Sequence, residues 1–416
     1  MIYIKIPNNN IPERKYIIDI LFKEFLGLKY ILEIGSQDYE IILPNKKKLI
    51  IEDTFFNKYP KDLEYLKEEN IPKNIIELDI FSASFFMLTR WEEYVNKTRD
   101  IHNRFPAIES LAYKEGLLDR PIVNELLEEF KEKLLGLDDG LIFKKRVFSY
   151  ILTHDIDVAQ KYSSLKSGLR EIFDDFFKRK NILLGFYHLW NKIVVHAHLK
   201  KDPFDTYDYL MDISERLGTK SYFFLHSSNQ AKQDINNDKF LKKIVKKIRK
   251  RSHFLGYHPS YDAYNNHDIF RRDKQAIEEI TNTKLEVGRQ HYLKFEVPKT
   301  WQIWEDNGMV WDSTLGYADK EGFRCGVCYE YSVFNILTRE KLRLKEKPLI
   351  VMDGSFASYQ EGVSHKQMKN EILSLINTTK KYQGEFVFLW HNSSFNTQEW
   401  ESYQDIYREV LWHAKN

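Results

Sequence analysis

Apolar residues recur along this chain in three patterns, and each pattern marks a different stretch. Tyr3-Ile4-Lys5-Ile6 alternates with the period of a half-buried strand. From about Glu13 to Phe25 the apolar positions take helical spacing, and short apolar runs follow near Tyr30 and Ile41. Helical spacing returns from Asp79 to Tyr94, and Pro121 suits the first turn of a helix reaching about Leu135. This first part reads as a small α+β unit, and Leu135-Gly136-Leu137-Asp138-Asp139-Gly140 reads as the linker that ends it.

Beyond the linker, short and nearly continuous apolar runs alternate with longer amphipathic ones, as βα units around a buried parallel sheet require. The runs that predict strands are Val147 to Leu152, Ser221 to Leu225, His253 to Tyr257, Leu285 to Val287, Gly308 to Trp311, Leu349 to Met352 and Glu385 to Trp390. Helices are predicted at about Thr206 to Leu217, Lys239 to Arg251, Asp268 to Thr281, His365 to Tyr382 and Glu399 to Ala414. A barrel or a doubly wound sheet fits this order.

A chain of 416 residues allows two or three domains. Lys and Arg number 63 against 61 Asp and Glu, a net charge of +2, which leaves no global field to hold nucleic acid. The basic run Lys242 to Arg251 carries Ile244, Val245 and Ile248 at helical spacing, so it reads as a solvated helix. The longest apolar stretch, Phe81 to Leu88, is broken by Ser82 and Ser84 and falls short of the roughly 20 residues of a membrane span. The start of the chain shows no charged leader followed by an apolar run, and Cys325 and Cys328 are the only cysteines, so a cytoplasmic location is expected. Their Cys-Gly-Val-Cys spacing lacks a second pair, and a structural loop is expected there.

Rarer polar residues stand immediately after the apolar runs: Asp155 and Asp157, His226, His258, Arg289, Asp312, Asp353 and His391. In parallel α/β folds the carboxyl ends of strands converge on one face, so residues far apart in sequence can meet there. An Asp after a strand also caps a following helix, and a lone strand-end His is commonly structural. Together, Asp, His and Arg are the composition of a metal-assisted hydrolytic site. Asp155 and Asp157, two apart, point the same way in an extended segment, so one can ligate an ion while the other accepts a proton.

At these residues the chain resembles the polysaccharide deacetylase (NodB-homology) family. Thr153-His154-Asp155-Ile156-Asp157 resembles its first motif, His258-Pro259-Ser260-Tyr261-Asp262 its second, and Gly288-Arg289-Gln290-His291-Tyr292 its third. Trp311-Asp312-Ser313 resembles the fourth and Leu389-Trp390-His391-Asn392 the fifth. The resemblance implies a distorted (β/α) barrel over residues 141–416, preceded by a smaller α+β accessory domain over 1–140. It implies removal of N-acetyl groups from a sugar or glycan precursor in surface polysaccharide metabolism. The implied cofactor is a divalent ion, zinc first and cobalt or nickel otherwise, held by Asp157, His258 and Asp262. Asp155 is then the base, Arg289 its orienting partner and His391 the acid, with Asp312, Tyr261, Trp390 and Asp353 around the substrate. The family has a second His where this chain has Asp262, and a harder ligand there favours harder metals. That departure leaves open a barrel that binds a glycan without cleaving it, and an amidase of small non-sugar amides is the other alternative.

Overall fold

In β1 (Ile2–Ile6) every second side chain, Ile2, Ile4 and Ile6, is buried, as the alternation requires. The protein is described from a computed structural model, which covers residues 1–163, 169, 172–173, 177, 181–226, 235–360, 362–397, 400–401 and 403–413. A helix at Ile11–Ile18, with Pro12 in its first turn, runs on as a wider π-helical segment, Asp19–Phe25. Gly27, at φ +70°, then turns the chain back, and an added Cβ there would lie 2.8 Å from Cβ of Lys144. β2 (Tyr30–Ile34) pairs parallel with β1, β3 (Tyr39–Ile42) antiparallel on its other side, and β4 (Lys48–Ile51) completes the order β2-β1-β3-β4. The helix Ile80–Thr89 is buried on every face and starts at Asp79, whose carboxylate accepts the N–H groups of Phe81 and Ser82.

The second sheet holds nine strands: β5 (Ser149–Ile156), β6 (Tyr222–His226), β7 (Phe254–His258), β8 (Val287–Gly288), β9 (Trp311–Asp312), β10 (Tyr331–Asn335), β11 (Glu340–Glu346), β12 (Val351–Met352) and β13 (Glu385–Leu389). Their order is β10-β11-β9-β8-β7-β6-β5-β13-β12, with every pair parallel except β10 against β11. Helices at Tyr207–Arg216, Ile235–Lys250, His267–Thr281 and His365–Lys381 lie where periodicity predicts them, and Ile244, Val245 and Ile248 of the basic run are buried. Of the last predicted helix the structure describes Ile406–His413, while residues 399, 402 and 414 lie outside the described residues.

A closed barrel is not what the strand pairing shows; β10 and β12 are the two edges of a curled, mixed α/β sheet. The curl is large. β5 and β8 are three places apart, about 14 Å in a flat sheet at about 4.8 Å per strand, yet Arg289, next after β8, reaches Asp155 of β5 at 2.9 Å. Gly288 permits the close pairing of β8 with β7, since a Cβ there would fall 1.9 Å from the Tyr257 carbonyl oxygen. Residues 347–350, between β11 and β12, bond both ways: the Lys347 N–H donates to the Asp312 carbonyl and the Ile350 N–H to that of Val387.

The β10/β11 hairpin, absent from the predicted strands, is the surface on which the first part of the chain sits. Tyr16 stacks on Phe334 at 4.7 Å and donates to the Ser332 carbonyl, and Tyr331 donates to that of Leu88. One contiguous apolar core runs from Ile2 to Leu411 through this seam. Cys325 and Cys328 are buried free thiols within it, and burial pushes the Cys325 thiol up to about 12.

The seam holds a buried ion network. Glu93 accepts from Arg90 at 2.8 Å and from Arg324 at 2.5 Å, Arg324 also donates to the Gly316 carbonyl, and Arg90 to the Tyr317 hydroxyl. Burial would raise the Glu93 pKa, but the two guanidinium groups reverse this and hold it at about 2. A carboxylate held below its unfolded value near 4.5 adds stability above that value and loses it as pH falls towards 2, here on the order of 3 kcal/mol. Glu93→Gln is expected to destabilise the chain at pH 7 by about 3–5 kcal/mol, because it leaves two buried cations underpaired. In melts between pH 7 and 3 the gap between variant and parent should narrow as the parent protonates; a constant gap would remove Glu93 as an ionised partner.

Candidate functional site

Parallel register sets which strand-end residues share a level. His226 pairs with His258 across β6 and β7, Gly288 sits beside Tyr257 and Asp312, and Thr153 beside Leu389. Asp155 and Asp157, Arg289 and His391 therefore emerge at the same end of the sheet.

Arg289 is fully buried and every branch of its guanidinium is engaged. Nε donates to the Ser313 carbonyl at 2.8 Å, Nη2 to the Ser313 hydroxyl at 3.0 Å, and Nη1 to Thr153 Oγ1 at 3.0 Å and Asp155 Oδ1 at 2.9 Å. Asp155 is thus held by one oxygen. Its other oxygen lies 3.8 Å from His258 Nδ1.

His258 Nδ1 stands 2.7 Å from the Arg289 carbonyl oxygen, which only accepts, so Nδ1 carries the proton. In the neutral ring Nε2 is then a bare lone pair. It faces Asp157 Oδ1 at 3.1 Å, and both atoms are buried without a hydrogen-bond partner. Two acceptors so placed call for a proton or a cation between them. His226 repeats the pattern, with Nδ1 3.2 Å from the His258 carbonyl, and His291 Nε2 lies 3.4 Å from Asp157 Oδ1. One nitrogen from each of His226, His258 and His291 lies within 4.8 Å of the others. A backbone carbonyl on the far ring nitrogen is the arrangement that fixes a ligating imidazole.

Burial, with His258 as neighbour, pushes His226 down to about 4 and His291 to about 2, so both offer lone pairs at neutral pH. Burial also opposes charge on His258, but the carboxylates of Asp155 and Asp157 outweigh it and raise its pKa. Asp157 is 37% exposed as a side chain although its Oδ1 is buried. Burial would raise it, yet the imidazoles of His258, His391 and His291 hold it well below the usual carboxylate range.

On the other side of Asp157 stands His391, its Nε2 3.9 Å from Asp157 Oδ2. Asp353, fully buried, takes His391 Nδ1 at 2.7 Å and the His391 backbone N–H at 2.8 Å. Against the effect of burial, this carboxylate raises His391 to about 10 and gives it a proton to donate.

The structure thus brings Asp155, Asp157, His258, Arg289, His391 and Asp353 together, and leaves four predicted residues elsewhere. Asp262 is 76% exposed on the turn after β7, with its carboxylate 4.0 Å from Lys294, and is not among the clustered donors. A residue four places past His258 on a turn points where the turn points, here to solvent. Trp390 is fully buried, packed on Tyr407 and Phe388, and donates to the Ser394 carbonyl. Asp312 is likewise buried, accepts from Thr314 at 2.5 Å, and is pushed by burial to about 7. Neither has surface to offer a substrate. Tyr261 lies on the rim, its hydroxyl 3.1 Å from His102. The missed residues are His226, noticed at its strand end, and His291, within the third motif. His154, also at a strand end, is structural, bonded to the Trp390 carbonyl and Ser221.

A family of unknown function (DUF7033) matches residues 2–138. None of the curated proteins matches the chain. Among solved structures it is similar to a chain from Mycobacterium smegmatis assigned as a polysaccharide deacetylase, 14% identical over 65% of this chain and 85% of that one, with a TM-score of 0.42. It is similar to the catalytic domain of a peptidoglycan N-acetylglucosamine deacetylase from Eubacterium rectale, 11% identical over 65% and 88%, TM-score 0.30. A carbohydrate esterase family 4 pseudoenzyme from Bacillus anthracis is 12% identical over 64% and 62%, TM-score 0.29. At such identities the chemistry has to be argued from the chain's own residues.

Titrated with Co²⁺ and followed by visible absorption, the chain is expected to bind one ion. His226→Ala and His291→Ala should each weaken binding beyond the roughly 10–100-fold that loss of an outer partner costs. Asp262→Ala should bind as the parent does; an equal loss there would return that carboxylate to the ligand set.

Proposed function

We propose that this chain is a metal-dependent hydrolase that removes N-acetyl groups from a sugar unit, with residues 141–416 as the catalytic part and 1–140 as an accessory one. The observation that supports this best is the convergence of His226, His258 and His291 beside Asp157, set between a carboxylate locked by a buried arginine and a histidine backed by a buried aspartate. His226, His258 and His291, with Asp157, are the residues that would hold a divalent ion. Bound there, such an ion supplies Lewis-acid polarisation of the amide carbonyl and lowers the pKa of the attacking water.

Asp155 accepts the proton as the water oxygen bonds to the carbonyl carbon, and Arg289 holds that carboxylate in place. His391 delivers its proton to the nitrogen as the C–N bond breaks, so that acetate and a free amine leave. Asp353 holds the His391 ring with Nε2 towards the substrate. The alternative of a pure binder rests on Asp262 as a poor third ligand, and the two further histidines beside His258 favour the hydrolase over it. The cytoplasmic location stays part of the proposal and is supported by two free, buried thiols. Among the described residues no helix is long and apolar enough to cross a membrane.

Acetate release from N-acetylated sugars tests the reaction. Asp155→Asn and His391→Ala are each expected to lose about 10²–10⁴-fold in rate, the usual share of one acid or base, while Asp155→Asn still binds the ion. Full activity in Asp155→Asn would remove it as the base, and a parent that releases no acetate would overturn the reaction itself.

A further inference from the structure

The helix Ile182–His196 turns its apolar side outward. With 3.6 residues per turn, Ile182, Leu183, Phe186, Tyr187, Trp190 and Ile193 fall within about 140° of one face, and all six are exposed, Leu183 by 83% and Trp190 by 64%. Its buried positions, Gly185, His188, Asn191 and Lys192, occupy the opposite half. There Asn191 donates to the Tyr187 carbonyl and accepts from Lys200. The face that a helix on a soluble fold ordinarily buries is the one left in water, and a contiguous apolar face of this kind marks a contact surface. Phe173 and Phe177, ahead of the helix, are themselves exposed, so those rings are not its cover.

Charge decides what can cover it. Residues 178–201 contain six Lys or Arg and no Asp or Glu, a local excess that the net charge of +2 conceals. Just past the helix Leu199 is exposed beside exposed Lys200 and Lys201, which line one hollow together with Lys243. Asp202, next in the chain, is turned inward, its carboxylate accepting the N–H groups of Lys161, Tyr162 and Phe204. That leaves Asp205 as the acid in this hollow, and Glu401 as the acid in the hollow that Leu183 and Tyr187 line at the other end. A second copy of the chain laid on this face would set the same positive excess against itself. An anionic lipid surface meets both features, with acyl chains for the aromatic and aliphatic face and headgroups for the lysines.

We propose that the helix Ile182–His196 docks this chain on an anionic membrane surface. Its 15 residues span about 22 Å at 1.5 Å each, short of the roughly 30 Å of a hydrocarbon core, so it lies in the plane of the interface. The excursion that carries it leaves the fold after β5, at Asp157, and returns at Thr206, whose hydroxyl donates to the Asn392 carbonyl beside His391. Asn392 donates in turn to the carbonyls of Val158 and Phe204. Docking therefore sets the membrane at the end of the sheet that carries the site, and it does not depend on which bond that site cleaves.

Flotation of the full chain with vesicles tests this, using phosphatidylcholine alone and an equal mixture with phosphatidylglycerol. The chain is expected to float with the mixture and to bind phosphatidylcholine at least about tenfold more weakly. The pair Phe186→Ser and Trp190→Ser, and separately the pair Lys200→Glu and Lys201→Glu, should each weaken binding to the mixture by about tenfold or more. Neither should lower the melting temperature, since all four side chains are exposed. Acetate release in solution by the serine pair should match the parent's. No flotation, equal flotation with both vesicles, or binding that neither pair changes overturns the proposal. A chain that sediments as a dimer, turns monomeric in the serine pair and floats with neither vesicle would assign the face to a second copy and overturn it as well.

Discussion

A guanidinium taken out of water without compensating acceptors costs several kcal/mol, and Arg289 has no exposed surface at all. Its acceptors come from Thr153 and Asp155 on one strand and Ser313 beyond another, so the sheet must curl far enough for non-adjacent strands to share one side chain. That requirement shapes everything at this end of the molecule. It sets Asp155 against His258, and the Arg289 backbone carbonyl chooses the His258 tautomer. Once Nδ1 is the donor to that carbonyl, Nε2 has nowhere to point but at Asp157.

The two ends of the site are built differently for a physical reason. On one side, three imidazoles crowd one carboxylate, and burial keeps His226 and His291 neutral and ready to donate electron pairs. On the other, Asp353 is buried with His391 as its counter-charge, and that histidine stays protonated. One shared aspartate, Asp157, faces both. Separating lone-pair donors from a proton donor across a few ångströms is what an acid-assisted hydrolysis needs.

Much of the fold was legible in the chain because buried parallel strands read as continuous apolar runs. Each of the seven predicted runs overlaps a strand, although β8, β9 and β12 pair over only two residues each. The β10/β11 hairpin escaped because Glu340-Lys341-Leu342-Arg343-Leu344-Lys345-Glu346 is mostly charged and buries only Leu342, Leu344 and Glu346. The helix Ile182–His196 escaped for the opposite reason. Gly185, His188, Asn191 and Lys192 are its buried positions, while Leu183 and Trp190 face outward, the inverse of the usual amphipathic pattern.

By itself, the sequence determined the alternation of strands and helices, the collection of polar residues at strand ends, and the same-side placement of Asp155 and Asp157. Each of these follows from local periodicity. Which donors meet was decided by the tertiary structure alone. Asp262, near His258 in the chain, turns to solvent, while His226 and His291, each more than thirty residues from His258, close on the cluster. Hydrogen-bond register puts strand ends level and the curl of the sheet brings distant strands together, and neither quantity is written in the spacing of neighbouring residues.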